Sequence, residues 1–416
     1  MAAKGKILVI GGGPAGSTVA TLLAKAGLPV TLLEKARFPR FHIGESLLPY
    51  NRPLFEELGV LKALEAVGFP VKHGAQFHLG NGSKHLKFAF GDGRFTHEPT
   101  AFQVERAIFD DVLLKNARAN GVEVCEGITV SDFADEDSGV SVAARTDDGE
   151  IRNYSGRFLV DATGQINFTG TRDGLREFHP KLQMVSVFGH YSNVHLDEGT
   201  RAGDTVIIRD RDRWFWLIPI GSEKVSVGVV ADRKEFSSAS APEKYFQQSL
   251  DQCREMRERM AVAKLLTPIR TAADFSYCNR RFVGNRLLRV GDAAGFLDPI
   301  FSSGVYLAML SGQLAAVALK QASSNDDRRK KYLTQYENKM RNAFNFYREM
   351  VEGFYSLPFL DVFFEPRDFL KIPDAVNAAL AGELSGRWAL WWRMRMFFWL
   401  VRRQTRRPFL PHVSFD

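Results

Sequence analysis

The sequence has little cysteine: three residues, Cys125, Cys253 and Cys278, stand far apart with no CxxC pair. That excludes a disulfide framework and a cysteine zinc site, and it fits a reducing cytoplasm. No stretch of about 18 apolar residues is free of charge, so no transmembrane span is expected. The opening MAAKGKILVIGGG has too short an apolar run for a secretory signal and leads into glycines rather than a cleavage site. Internal repeats, low-complexity tracts and nucleic-acid motifs are all missing. The net charge of +7 therefore does not make a nucleic-acid binder. No cluster of histidine, cysteine and acidic residues has metal-ligand spacing, and no Ser-His-Asp order with a nucleophile elbow is visible. No metal is expected, and His42 and His73 read as structural or loop histidines.

What remains is a globular composition, 45% apolar and 25% charged, over 416 residues, too long for a single ordinary core. Lys6 to Ile10 reads as a buried parallel strand. Gly11-Gly12-Gly13-Pro14-Ala15-Gly16 follows and satisfies GxGxxG. A helix-period segment comes next (Ser17 to Ala26), then Gly27 as a stop signal, then a second strand, Pro29 to Leu33, closed by Glu34. This order suits a dinucleotide. Gly11 permits a tight turn, Gly13 lets backbone amides approach a pyrophosphate, and Gly16 lets helix and strand pack closely. The helix start, with Ala15 in its first turn, offers free N–H groups to phosphate, and Glu34 accepts from a ribose diol.

Further strands lie at Phe158 to Gly164 (FLVDATG) and Leu287 to Asp292 (LLRVGD), the latter followed by Ala293-Ala294-Gly295 and Asp298-Pro299. These segments resemble the flavoprotein superfamily that includes the aromatic hydroxylases, which implies FAD with Asp292 on the ribitol chain. The other reading of Asp292 is a helix cap or turn residue. Gln103 to Leu113 (QVERAIFDDVL) resembles a helix start of the same superfamily, which places Gln103 or Arg106 near the flavin.

Four segments narrow the resemblance to the flavin-dependent halogenases. They are Phe38 to Pro49 (FPRFHIGESLLP), Phe69 to Ala75 (FPVKHGA), Trp214 to Pro219 (WFWLIP, matching WxWxIP) and Asp298 to Val305 (DPIFSSGV). It covers roughly residues 1–320, and it departs from the family where Arg213 replaces the usual glycine before the first tryptophan. It implies that reduced FAD from a separate flavin reductase, O2 and chloride or bromide give hypohalous acid. That acid passes to Lys72, which either orients it or forms a haloamine, and an electron-rich ring takes the halogen. The ring belongs to a small molecule or to a carrier-protein-bound substrate. The chain lacks the length of a tryptophan halogenase's substrate insert, so free tryptophan is not expected.

Each of these residues has a plainer reading. Lys72 follows a loop proline, as surface lysines do. Trp214 and Trp216 share one face of a strand, either as a wall between flavin and substrate or as core aromatics. Ser303 caps a helix (Tyr306 to Leu319) or stands beside Gly304 and Val305, whose amides suit a halide. Glu45 and Ser46 lie close to the flavin edge, or Glu45 is only a capping acid.

The expected fold is α/β: a Rossmann-like FAD-binding domain over 1–70, 100–171 and 277–324, an antiparallel β-sheet substrate domain over 71–99 and 172–276, and a helical C-terminal region over 325–416. In the last region Tyr332, Tyr336, Met340, Ala343 and Tyr347 fall on one helix face, which reads as core packing. Arg387 to Pro408 holds four of the six tryptophans and seven arginines. It reads as a terminal helix with aromatics on the core, as a weak membrane-surface contact, or as a docking surface for an acidic carrier. Competing functions are a geranylgeranyl-reductase-like flavin oxidoreductase, an aromatic monooxygenase and a non-catalytic flavoprotein. The first does not require Lys72 or the tryptophan strand, and the second should lack the tryptophan wall.

Overall fold

The computed structural model describes residues 5–237, 241–384 and 386–416. Its first sheet is built on the runs read as buried strands. Five parallel strands lie in the order Leu287–Arg289, Phe158–Asp161, Ile7–Ile10, Val30–Glu34, Glu123–Glu126. The central strand is buried on both faces, which is why its residues run apolar without alternation. The strand order reverses between Ile7–Ile10 and Phe158–Asp161, and ligands of such sheets sit at that switch point, beyond the carboxyl ends.

Helix Pro14–Lys25 follows the glycine turn and packs against the long helix Gly304–Ser324. The contact is close because Gly312 has no side chain: a Cβ there would come within 2.7 Å of the Ala15 carbonyl oxygen. A separate antiparallel meander, Ile128–Glu136, Gly139–Thr146 and Ile151–Gly156, flanks the parallel sheet.

The second large sheet runs Gly295–Phe296, Arg270–Asn279, Arg176–Ser192, Val225–Asp232, Arg213–Pro219, Thr205–Arg209, Gly74–Leu79, His85–Ala89. It is antiparallel as expected, except that Thr205–Arg209 runs parallel to Gly74–Leu79. Period two divides its side chains. Phe77, Trp214 and Trp216 face the C-terminal helices, whereas Ile208, Phe215 and Val229 face a second cluster closed by Pro242–Gln252 and Arg254–Met260. Those two helices lie inside a stretch that is strand-rich as read, between Val225–Asp232 and Arg270–Asn279. Tyr245, Phe246, Leu250 and Met256 cover the sheet's apolar face, and the burial that decides the conformation is long-range.

Tyr336, Met340, Ala343 and Tyr347 are buried along helix Arg329–Phe354, as the periodicity predicts. The last helix, Trp388–Arg406, meets the core-packed aromatic reading only with its phenylalanines. It meets the core through Leu390, Met394, Phe397 and Phe398, while Trp388, Trp391 and Trp399 are 75%, 53% and 52% exposed. Arg395 lies 4.8 Å from the Trp391 ring centroid and Arg393 lies 4.3 Å from that of Trp392. Among the described residues no helix is long and apolar enough to cross a membrane.

Trp216 is seated on Gly228, its cross-strand partner, where an added Cβ would lie 2.2 Å from the indole. Gly228→Ala should therefore displace the ring and cost about 1–3 kcal/mol of stability by overpacking, read from urea unfolding. An unchanged midpoint would contradict the packing described.

Candidate active site

Three glycines shape the first part of the site, for two different reasons. Gly11 has φ +102° and a Cβ there would strike the Ala162 carbonyl oxygen at 2.3 Å; a Cβ on Gly16 would strike the Gly11 oxygen at 1.9 Å. Both are required by packing at the switch point. Gly13 is different, since a Cβ there would meet only the Arg40 guanidinium, at 3.5 Å. The space before it is open, and a side chain would fill a cradle rather than break a contact. Helix Pro14–Lys25 begins with proline and has no side-chain cap and no acid in its first turn, so its amides are free for an anion. Glu34 closes the cradle from the second strand: Gly12 N–H donates to its Oε2 (2.6 Å) and Ala36 N–H to its Oε1 (2.7 Å).

Arg40 escaped the sequence reading although it lies in the FPRFHIGES segment. It donates to Asp110 (3.1 Å) and lies over the Phe38 ring, bringing a cation to the open side of Gly13. Asp110 also takes two bonds from Arg106 (2.8 and 2.9 Å), and Arg106 donates to the carbonyls of Ile43 (2.7 Å) and Gly44 (3.3 Å). Arg106 thus braces the loop that carries Glu45 and Ser46.

Asp292 lies inside the short turn Gly291–Ala293 and caps no helix. Its carboxylate makes no hydrogen bond among the described residues. Desolvation pushes its carboxyl up to about 6, with Arg106 opposing.

The second part of the site is a buried polar network around Lys72. The surface-lysine reading fails: Lys72 is 1% exposed. Strand Val71–Lys72 pairs with Ala101–Phe102, which turns the side chain inward. Its Nζ donates to Ser46 Oγ (2.9 Å) and the Leu47 carbonyl (3.2 Å), and it lies 5.6 Å from the centre of the Phe90 ring. Ser46 Oγ shares a hydrogen bond with Thr205 Oγ1 (2.8 Å), which also accepts from Gln103 Nε2 (2.8 Å). Desolvation pushes the Lys72 pKa down to about 7, partly offset by the Asp204 carboxylate. Beside it, Glu45 Oε1 pairs with His190 Nε2 at 2.9 Å. Glu45 Oε2, Gln103 Oε1 and Asp204 Oδ1 are buried without a partner among the described residues. Glu45 caps no helix.

Trp214 and Trp216 share a face, 5.9 Å apart, and both are core residues with satisfied indole N–H groups. Trp216 donates to Ser226 Oγ (3.1 Å). Trp214 donates to Tyr355 (2.8 Å), whose hydroxyl donates to Asp298 Oδ2 (2.7 Å) in the DPIFSSGV segment. Tyr355 comes from the C-terminal region, where no motif marked it. Desolvation pushes the Asp298 carboxyl up to about 6. Arg213, at the departure from WxWxIP context, turns away to Glu235 (2.9 Å). Ser303 is buried and forms no capping hydrogen bond, so the capping reading is not realised. A Cβ at Gly304 would meet nothing within 4 Å, so the helix start is open beside that residue. A cavity of about 280 Å³ opens elsewhere, lined by Phe88, Phe363, Phe369 and Phe397, and it contains none of these residues.

The residues fit FAD on three counts: the open cradle at Gly13, the unpartnered Asp292 carboxylate, and the buried acceptors Glu45 Oε2 and Gln103 Oε1. The sequence pattern of the tryptophan halogenase family matches residues 6–100 and 94–381. The chain belongs to this family of flavin-dependent halogenases. Tryptophan 2-halogenase of Chondromyces crocatus is 36% identical over 355 residues, 84% of this chain and 65% of that protein, so the chain spans about two thirds of that relative. The 1H-pyrrole-2-carbonyl-[peptidyl-carrier protein] chlorinase of Pseudomonas fluorescens is 31% identical over 392 residues, 88% of this chain and 87% of that one. The flavin-dependent brominase Bmp2 superimposes with a TM-score of 0.86 at 28% identity, covering 96% of this chain and 100% of its own. This halogenase is an FAD-dependent oxidoreductase, with FAD as its cofactor.

Gly13→Val should weaken FAD binding at least about tenfold, since the branched side chain occupies the cradle. The fold should persist, because a Cβ there meets only the end of the Arg40 side chain. Flavin fluorescence titration with a circular-dichroism control reads both, and an unaltered affinity would contradict the cradle.

Proposed function

We propose that this halogenase uses Lys72 to carry an electrophilic halogen to an electron-rich aromatic ring held on a carrier protein. The observation that carries the reading is a lysine almost wholly withdrawn from water, with a pKa brought down to about 7. Bound FAD, reduced by a separate flavin reductase, supplies the two electrons with which O2 and halide give hypohalous acid and water. The remaining work falls to side chains. Gly13, Ala15 and Gly16 present backbone amides to the pyrophosphate over the turn that Gly11 allows, Arg40 adds charge, Glu34 holds the ribose and Asp292 the ribitol chain. Glu45, Ser46 and Arg106 fix the loop at the flavin edge. The amides of Gly304 and Val305, with Ser303 beside them, hold the halide.

At neutral pH much of Lys72 is free amine. The amine attacks the halogen of hypohalous acid, an N–X bond forms, and the O–X bond breaks to release hydroxide. The ring then takes X⁺, the nitrogen recovers its lone pair, and the proton displaced from the ring carbon passes to the released hydroxide to give water. Ser46 Oγ and the Leu47 carbonyl accept from Nζ and hold it in place. Trp214 and Trp216 separate oxidant from ring.

Two observations favour a tethered ring. A similar protein is named as a carrier-linked pyrrole chlorinase, and another, from Pseudoalteromonas luteoviolacea, as the corresponding brominase. The exposed tryptophans and seven arginines of Arg387 to Pro408 suit an acidic carrier surface. The reductase and monooxygenase alternatives give no use to a buried lysine.

With a flavin reductase, O2 and bromide, a pyrrole-2-carbonyl group on a carrier protein should acquire the bromine isotope doublet in mass spectrometry, with phenol as the free-ring control. Lys72→Ala should reduce this at least about 100-fold while leaving the flavin titration unchanged. Retained turnover would overturn the role. Because deprotonation creates the nucleophile, single-turnover halogenation should rise with pH through about 7 and then level. A fall across that range would contradict the amine mechanism.

A further inference from the structure

We infer that His78, His85 and Glu255 form a binding site for a divalent transition metal ion, Zn²⁺ by its donor chemistry. No cluster was visible from sequence spacing, because the ligands come from a hairpin and from a helix far along the chain. His78 and His85 are directly paired across strands Gly74–Leu79 and His85–Ala89. Glu255 lies on helix Arg254–Met260, which packs over the same face. His78 Nδ1 is 2.7 Å from His85 Nδ1 and 3.0 Å from Glu255 Oε1, and all three ligand atoms lie within 4.8 Å of one another.

The surrounding hydrogen bonds determine where the protons are. His78 Nε2 faces Gln76 Oε1 at 3.3 Å, and the Gln76 amide is oriented by its NH₂ donating to Asp204 Oδ2, also at 3.3 Å. His78 therefore carries its hydrogen on Nε2. His85 Nε2 faces the Gly82 carbonyl at 3.1 Å, which can only accept, so His85 also carries its hydrogen there. With their hydrogens on Nε2, both rings turn Nδ1 lone pairs toward each other and toward a carboxylate. Three lone pairs converge with no hydrogen between them, an arrangement that a cation stabilises. A proton would serve only by making one ring an imidazolium.

The outer contacts match those of metal-bound histidines, whose second nitrogen donates to a carbonyl or carboxylate. Arg259 Nε steadies Glu255 Oε1 at 3.0 Å. Two imidazoles and one carboxylate suit Zn²⁺ with a fourth, open position. Tetrahedral binding at about 2.0 Å needs the nitrogens about 3.3 Å apart. His85 is exposed, so its ring can open the gap and solvent can reach the ion. The outer contacts end on Asp204, the carboxylate that acts on Lys72, so the site borders the catalytic network without belonging to it.

The test uses tag-free, flavin-loaded protein, stripped with EDTA and titrated with CoCl₂. The readout is the d–d absorption at wavelengths longer than the flavin bands, followed by ZnCl₂ competition. One Co²⁺ per chain, displaced by Zn²⁺, is expected. His85→Ala and Glu255→Gln should each weaken binding at least about 100-fold with flavin content unchanged, and Gln76→Ala about tenfold. No stoichiometric binding, or equal binding by wild type and both ligand variants, would overturn the site.

Discussion

The removal of one lysine from water is the constraint around which this enzyme is arranged. An ammonium group at the Lys72 position has Ser46 Oγ and one carbonyl as acceptors and an aromatic ring nearby. That setting is too poor to replace full hydration. Bringing the pKa from its ordinary value to about 7 disfavours the charged form by about 5 kcal/mol. The fold sustains this because the lysine is anchored by a two-strand ribbon whose partner, Ala101–Phe102, leads directly into Gln103 and the Arg106 helix. The chemistry of a free amine at neutral pH follows from that placement.

The same elements tie the lysine to the cofactor cradle. Arg40 stands at the open face of Gly13 and bonds Asp110; Asp110 binds Arg106; Arg106 holds the carbonyls of Ile43 and Gly44; and the next residues, Glu45 and Ser46, reach His190 and Lys72. The open side of Gly13 and the Lys72 amine are thereby linked through one chain of hydrogen bonds and ion pairs. On the far side, Trp214, Tyr355 and Asp298 join the tryptophan strand to the segment that leads into Gly304. The C-terminal helices thus contribute to the site as well as covering the sheet.

How much of this was legible in the sequence depended on the range of the forces involved. The cradle was readable because strand, glycines, helix and acid occupy one continuous stretch whose spacing is set locally. The tryptophan strand was readable because period two fixes its face. The Lys72 environment was not. Its burial depends on Ser46, Gln103, Asp204 and Thr205, which meet only in the folded chain. Tyr355 and the His78, His85 and Glu255 group were invisible for the same reason. The helices over 242–260 went unmarked within the strand-rich stretch because an amphipathic segment next to many strands carries no mark of which face the sheet will claim. Arg40 is the exception, since it was in view and its neighbour Gly13 supplied the reason to notice it.

The central claim is that burial alone makes Lys72 a neutral-pH amine, and it can be measured directly. Heteronuclear NMR of protein labelled with ¹³C and ¹⁵N lysine, assigned by comparison with Lys72→Arg, follows the Lys72 ε-carbon shift as pH is varied. The account predicts a midpoint near 7. A midpoint at about 10, like that of a solvated lysine, would contradict it.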